Sequence, residues 1–111
     1  MEQIFITGNG PLRGEVTVAG AKNAALPIIA ASLLSAEPLH ISNLPDVRDI
    51  GTALQLLELL GTQVQRSGTE LVLDSNQIHS VRAPYELVKT IRASILLLGP
   101  LLARFGEADV S

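Results

Sequence analysis

Apolar and polar positions along the 111 residues change period several times, and each change marks an element. Gln3 to Thr7 and Glu15 to Ala19 alternate branched or aromatic side chains with polar ones, the period of two that a strand shows. Gly8-Asn9-Gly10-Pro11 between them is turn chemistry, so two short strands joined by a loop are predicted. From Lys22 to Leu34 the period becomes helical. Ala25, Leu26, Ile29 and Leu33 form one stripe, and Ala24, Ile28, Ala30 and Ala31 fill the other faces with small or apolar groups, which predicts a helix buried nearly all round. Pro27 falls in its early turns, so regular helix is expected to start near Leu26 or to kink there.

Pro38 to Ser42 reads as a strand, and Asn43-Leu44-Pro45-Asp46 as the exit before a second helix from Val47 to Leu60, closed by Gly61. Its inner stripe is Ile50, Leu54, Leu57 and Leu60. Gln63 to Arg66 and Glu70 to Leu73 alternate around Ser67-Gly68, a hairpin signal. After a polar stretch, Ala83-Pro84-Tyr85 opens a long helix through Lys89 and Arg92 to Arg104, bent at Gly99-Pro100 and ended by Gly106. Glu107 to Ser111 reads as one more strand. The resulting order, β-β-α-β-α-β-β-α-β, contains a βαβαββ unit with parallel-type crossovers and sets the fold class as α/β or α+β. The last strand has no partner after it, so the chain is expected to be part of a longer one.

Composition narrows the function classes. At 47% hydrophobic and 17% charged residues the chain is too apolar for global disorder, and 111 residues suit one domain. Size scaling predicts about 5,900 Å² of exposed surface when folded. With 3% aromatics the core must be aliphatic, and stacking platforms for bases are missing. Eight basic residues against eleven acidic ones, net charge −3, give no field for a nucleic-acid backbone. The apolar run Ile95 to Ala103 is about half of the ~20 residues that a membrane span needs. No basic segment followed by an apolar run opens the chain, so a cytoplasmic protein without membrane or nucleic-acid partners is expected. Cysteine is absent, and His40 and His79 have no ligating neighbours at metal spacing; no metal and no cofactor are expected.

Three groups of residues could carry chemistry. Gly20-Ala21-Lys22-Asn23 puts a lysine and an asparagine at the start of a helix, where free N–H groups and the dipole favour a phosphate or carboxylate. The same residues also suit a plain Asn23 N-cap with a solvated Lys22. Lys89 and Arg92, three apart, would share one helix face just ahead of Ile95-Leu96-Leu97-Leu98, where an arginine must reach solvent or an anion; Glu86 is one such partner. Asp46, Arg48 and Asp49 lie at the mouth of the second helix, where acids complement the dipole. From the residues alone, the chain is an anion-binding α/β segment.

These stretches, taken in order, resemble the UDP-N-acetylglucosamine 1-carboxyvinyltransferase family of enolpyruvyl transferases, in the EPSP synthase-like superfamily. The resemblance lies in Leu12-Arg13-Gly14-Glu15-Val16, Ala19-Gly20-Ala21-Lys22-Asn23-Ala24-Ala25-Leu26-Pro27 and Asn43-Leu44-Pro45-Asp46-Val47-Arg48-Asp49. It continues through Ala83-Pro84-Tyr85-Glu86-Leu87-Val88-Lys89-Thr90-Ile91-Arg92-Ala93-Ser94 and Leu98-Gly99-Pro100-Leu101-Leu102-Ala103-Arg104-Phe105-Gly106.

The resemblance implies an inside-out α/β barrel enzyme of two domains built from βαβαββ units, of which this chain would be the N-terminal quarter. Residues 1–20 would be strands packing with the domain formed by the C-terminal half, and 21–111 would begin the other domain. The implied reaction moves the enolpyruvyl group of phosphoenolpyruvate to the 3-hydroxyl of UDP-N-acetylglucosamine with release of phosphate, the first committed step of peptidoglycan synthesis. Lys22 and Asn23 match positions that contact phosphoenolpyruvate, Arg92 one that holds the sugar nucleotide, and Arg48 and Asp49 a pattern near the cleft. No catalytic residue is expected in these 111 residues, since the family's reactive cysteine, the fosfomycin target, would follow Ser111. Two alternatives stand beside this reading: the sister 3-phosphoshikimate 1-carboxyvinyltransferase, whose early motif is usually Gly-Ser-Lys-Ser, and a non-catalytic anion-binding or interaction segment. The 111 residues alone are expected to release no phosphate from phosphoenolpyruvate and the sugar nucleotide; measurable turnover in a phosphate-release assay would contradict the implied division of labour.

Overall fold

The computed structural model describes residues 2–89 and 92–110, with side chains at all of these except Leu87, Arg92 and Ala93. Helix α1 spans Lys22–Ala31 and tightens into a 3₁₀ turn at Ser32–Leu34. Strand β1 (Leu39–Ile41), helix α2 (Arg48–Leu60) and the hairpin strands β2 (Gln63–Ser67) and β3 (Glu70–Asp74) follow. A second group holds β4 (Arg82–Ala83), α3 (Tyr85–Val88), a 3₁₀ segment (Arg92–Leu97), α4 (Leu98–Phe105) and β5 (Asp109–Val110).

The three-stranded sheet has the order β1-β3-β2, with β3 antiparallel to both neighbours. β1 and β2 are therefore parallel to each other, as the sequence predicts, but the α2 crossover skips one position and β3 returns to fill it, a split βαβ arrangement. Leu39 faces Leu73 and Ile41 faces Leu71 across one ladder, and Val64 faces Leu73 across the other. These side chains form the inner face. The hairpin turns at Gly68, whose φ of 59° suits the first loop position of a tight β-hairpin. β4 and β5 pair in parallel, Arg82 with Asp109 and Ala83 with Val110, and the helical segments between them form the crossover. The final strand thus has a partner that the polar stretch after Asp74 concealed.

α1 and α2 cover the inner face of the sheet. Ile29 and Leu33 from the first helical segment, Ile50, Leu56, Leu57 and Leu60 from α2, Leu71 and Leu73 from β3, and Leu101 from α4 are essentially fully buried. No aromatic belongs to this core. Each such aliphatic side chain contributes about 1.5–3 kcal/mol relative to exposure. Gly61 ends α2 at φ 120°, and its N–H closes the last turn on the Leu57 and Glu58 carbonyls.

Four expectations are corrected. Residues 2–20 contain no strand: Ile4, Phe5, Ile6, Leu12, Val16 and Val18 are 80–90% exposed, and no ladder pairs them among the described residues. Alternation alone supplies no partner for the backbone groups. This arm raises the exposed surface to 7862 Å², above the scaling expectation, and the radius of gyration to 17.1 Å, where a compact chain of this length has about 13 Å. α1 is not buried all round, for Ala24, Ile28 and Ala31 face outward opposite the Ala25-Leu26-Ile29-Ala30 side. It also starts at Lys22, ahead of Pro27, which excludes a start near Leu26 and leaves the kink as the other expectation; the carbonyl that Pro27 cannot serve is that of Asn23, an exposed residue that water can reach.

From Tyr85 onward the chain forms α3, a 3₁₀ segment and α4 in place of one long α-helix; residues 90–91 and the Arg92 side chain, and with them the expected shared face of Lys89 and Arg92, lie outside those described. Pro100 sits in the first turn of α4, where a missing N–H costs nothing. Arg104, the last basic residue of that helix, closes the assembly. Its Nη1 donates to the carbonyl oxygens of Leu33 (3.1 Å), Ser35 (3.1 Å) and Ser75 (2.8 Å), tying α4 to the end of the first helical segment and to the exit of β3. Ser75 is itself buried, and its hydroxyl meets that of Thr62 at 2.9 Å. Arg104→Met is expected to lower stability by about 2–4 kcal/mol through lost charged hydrogen bonds and stranded carbonyls. Urea unfolding measures this; a midpoint equal to that of the parent protein would show that Arg104 does not hold these segments together.

Candidate functional site

The chain enters α1 through a tight crossing. Gly20 lies so close to the carbonyl oxygen of Asn43 that any side chain at position 20 would collide with it. Asn43 adopts φ 55°, the left-handed conformation that asparagine tolerates better than most residues, and its Nδ2 donates to the Val18 carbonyl at 3.3 Å. Leu44 N–H donates to the Thr69 carbonyl at 2.9 Å, which fastens this loop to the hairpin tip. The start of α1, the 43–45 loop and the β2–β3 turn therefore meet at one end of the sheet. An open groove of about 140 Å³ runs there between Ala21, Ala24 and Ile28 on one side and Ile41, Asn43 and Pro45 on the other.

Ala21, with extended backbone (φ −88°, ψ 137°), is the N-cap of α1, and its carbonyl accepts from Ala24 and Ala25. No side chain caps this helix, so Asn23 is not an N-cap. It is exposed in the first turn, with no hydrogen bond to its amide among the described residues. Lys22 is not simply solvated either. Its Nζ lies 3.0 Å from Oδ2 of Asp49, in the first turn of α2, with side chains 44% and 35% exposed. Two helix N-termini therefore open toward one point, and each brings unpaired first-turn N–H groups and a positive dipole end.

Arg48, the first residue of α2, is exposed, and its carbonyl accepts from the Thr52 hydroxyl at 3.3 Å. Asp46 stands 3.7 Å from Arg66 of β2. Lys22, Asn23, Arg48 and Asp49 are thus gathered at the ends of α1 and α2. Arg92 begins the 3₁₀ segment, and its side chain lies outside those described. Glu86 is taken by Lys89, at 2.7 Å, whose ammonium also lies 5.6 Å from the Tyr85 ring centre. A lysine at a helix start can hold a small anion; the apolar groove is lined by the neighbouring Gly20 and Ala21 but by neither Lys22 nor Asp49.

Two contacts of this region were not legible as pairs. The Gly20–Asn43 crossing and the Lys22–Asp49 ion pair join residues 23 and 27 apart, and only the left-handed asparagine in Asn43-Leu44-Pro45 offered a local sign of the first.

The split βαβ unit with its helix starts at one sheet end is an enolpyruvyl transferase fold. The crystal structure of the enolpyruvyl transferase NikO from Streptomyces tendae matches it with a TM-score of 0.79 and 26% identity, over 91% of this chain and 24% of that one. The EPSP synthase family, described as 3-phosphoshikimate 1-carboxyvinyltransferase, matches residues 6–111, and the chain belongs to this family. It spans about a quarter of the length of the enolpyruvyl transferase it matches.

Gly20→Ala should push the Asn43 loop off the start of α1 and cost roughly 1–3 kcal/mol, the range for forcing atoms into a packed site. A thermal or urea melt of the full-length variant checks it. A parent-like melt would mean that the crossing is loose.

Proposed function

We propose that this chain supplies the phosphate-gripping wall of an enolpyruvyl transferase that moves the enolpyruvyl group of phosphoenolpyruvate to the 3-hydroxyl of UDP-N-acetylglucosamine and releases phosphate. The observation that carries the proposal is the Lys22 ammonium at the converging N-termini of α1 and α2, a local field built for a small polyanion. Membership of the family supports enolpyruvyl transfer in general. The motif resemblance around Lys22, Asp49 and Arg92 supports the sugar-nucleotide acceptor, hence a role at the start of peptidoglycan synthesis in the cytoplasm.

In this reading Lys22 neutralises phosphate and carboxylate charge, and the Asn23 amide donates a hydrogen bond to the same substrate. Arg92 orients the sugar nucleotide, and Arg48 adds positive charge at the rim. The acceptor hydroxyl gives up its proton as its oxygen bonds to C2 of phosphoenolpyruvate, and C3 takes a proton. The tetrahedral adduct then loses a C3 proton and phosphate, which restores the double bond. Lys22 contributes most when phosphate leaves, because charge accumulates on the departing oxygens. The proton-transferring groups and the reactive cysteine belong, in this proposal, to the rest of the polypeptide. Residues 1–20 pack with the domain formed by its C-terminal half and 21–111 begin the other domain; the exposed apolar side chains of the arm support that division.

Lys22→Met in the full-length protein is expected to lower kcat/KM for phosphoenolpyruvate by about 10²-fold or more, the scale of losing one preorganised charge-stabilising donor. Phosphate release measured with each acceptor completes the test. An unchanged kcat/KM removes Lys22 from the site, and turnover with shikimate 3-phosphate but not with UDP-N-acetylglucosamine replaces the acceptor.

A further inference from the structure

We propose that Asp49 is the positioning residue of Lys22: its carboxylate holds the ammonium between the two helix N-termini, so that an arriving anion meets a cation already in place. The inference rests on the reading of Lys22 as a phosphoenolpyruvate-binding residue. Lys22 stands at the first position of α1, where the helix dipole repels a positive charge, and its side chain turns on four flexible bonds. Nothing in α1 itself would keep the ammonium at the helix mouth. Asp49 stands in the first turn of α2, where the dipole favours a negative charge, and reaches Nζ at 3.0 Å.

The carboxylate is fixed on a short stem. Ile50, the next residue, is fully buried, and Ala53 and Leu54 one turn on are buried as well, so the position of Asp49 is referenced to the aliphatic core. Through the ion pair, the ammonium inherits that reference. The other nearby acid, Asp46, is engaged with Arg66 and is fully exposed. An ammonium has three protons, and one bond to Asp49 leaves two for a substrate oxygen. Both partners remain more than a third exposed, so the pair is weak enough not to compete with a polyanion for the lysine. Ordering the side chain before binding removes part of the cost of ordering it afterward, which is how preorganisation raises affinity.

A merely structural Asp49 would complement the α2 dipole, and its loss would lower the melting temperature without acting through Lys22. The two roles separate in the full-length protein. Asp49→Ala is expected to raise KM for phosphoenolpyruvate roughly three- to fivefold, the scale of an exposed ion pair, with KM for the sugar nucleotide unchanged; Asp49→Glu should restore part of the loss. Calorimetric titration with inorganic phosphate, which needs no turnover, then compares Asp49→Ala, Lys22→Met and the double variant. Phosphate affinity in the double variant should equal that of Lys22→Met. Independent, additive losses, or an unaltered phosphoenolpyruvate KM in Asp49→Ala, overturn the positioning role. Parent-like phosphate affinity in Lys22→Met overturns the reading of the site beneath it. If Asp49→Ala does not fold, Asp49→Asn carries the same comparison with the side-chain shape retained.

Discussion

Packing of α1 and α2 on one face of the sheet, with both helices starting at the same end, is the constraint from which the rest follows. The aliphatic stripes that bury Ile29 and Leu33 against Ile50, Leu57 and Leu60 leave little choice in how the helices lie on the sheet. Their N-termini then open side by side, and two positive dipole ends must share one region. This arrangement is uncomfortable without negative charge. Asp49 provides one carboxylate, and Lys22 offsets it with charge of the sign that the dipole ends already carry. On the proposed reading of Lys22, the positive field that remains, open to solvent and backed by the buried core, favours a ligand of more than one negative charge.

The close crossing of Gly20 and Asn43 gives this arrangement its registration. Were the chain to enter α1 a few ångströms further out, Lys22 would no longer face α2. Gly20 allows the approach, the left-handed Asn43 turns its carbonyl into it, and the Leu44–Thr69 hydrogen bond fixes the loop to the hairpin. Arg104 does comparable work at the far end of the first helical segment, where its three carbonyl contacts join α4 to Leu33, Ser35 and Ser75. The same unit is therefore held at both ends by polar contacts that the aliphatic core cannot specify, since apolar packing is non-directional.

Local pattern carried the elements whose information is local. The α2 stripe, its Gly61 stop and the Ser67-Gly68 hairpin were all legible because each depends on residues within a few positions of one another. The same reasoning failed where a distant partner decides. Alternation at Gln3 to Thr7 and Glu15 to Ala19 is a fair strand signal, but a strand exists only with a pairing neighbour, and these residues have none among those described. Tyr85 onward reads as one helix by composition, and the change to 3₁₀ geometry over Arg92–Leu97 has no sharp sequence marker beyond Gly99-Pro100 downstream. At the site, residue type and helix position pointed to Lys22 and Asn23. The pairing with Asp49 was hidden, since it is created by how two helices pack.

The apolar residues of this chain exceed what its described core absorbs. Part lies along the 2–19 arm, at Ile4, Phe5, Ile6, Leu12, Val16 and Val18, and part on the outer side of the first helical segment, at Ile28 and Leu34. Helix α1 carries apolar side chains on both faces but buries one, so its sequence meets a demand that the sheet beneath it satisfies only halfway. Meanwhile the polar contact at the starts of α1 and α2, the Lys22–Asp49 ion pair, is made within this chain. The polar contacts at that end therefore depend on short, internally determined distances, whereas burial depends on surfaces larger than a three-stranded sheet can cover. A substitution near Lys22 should accordingly act on the anion, and one on the outer face of α1 on whatever surface packs against it.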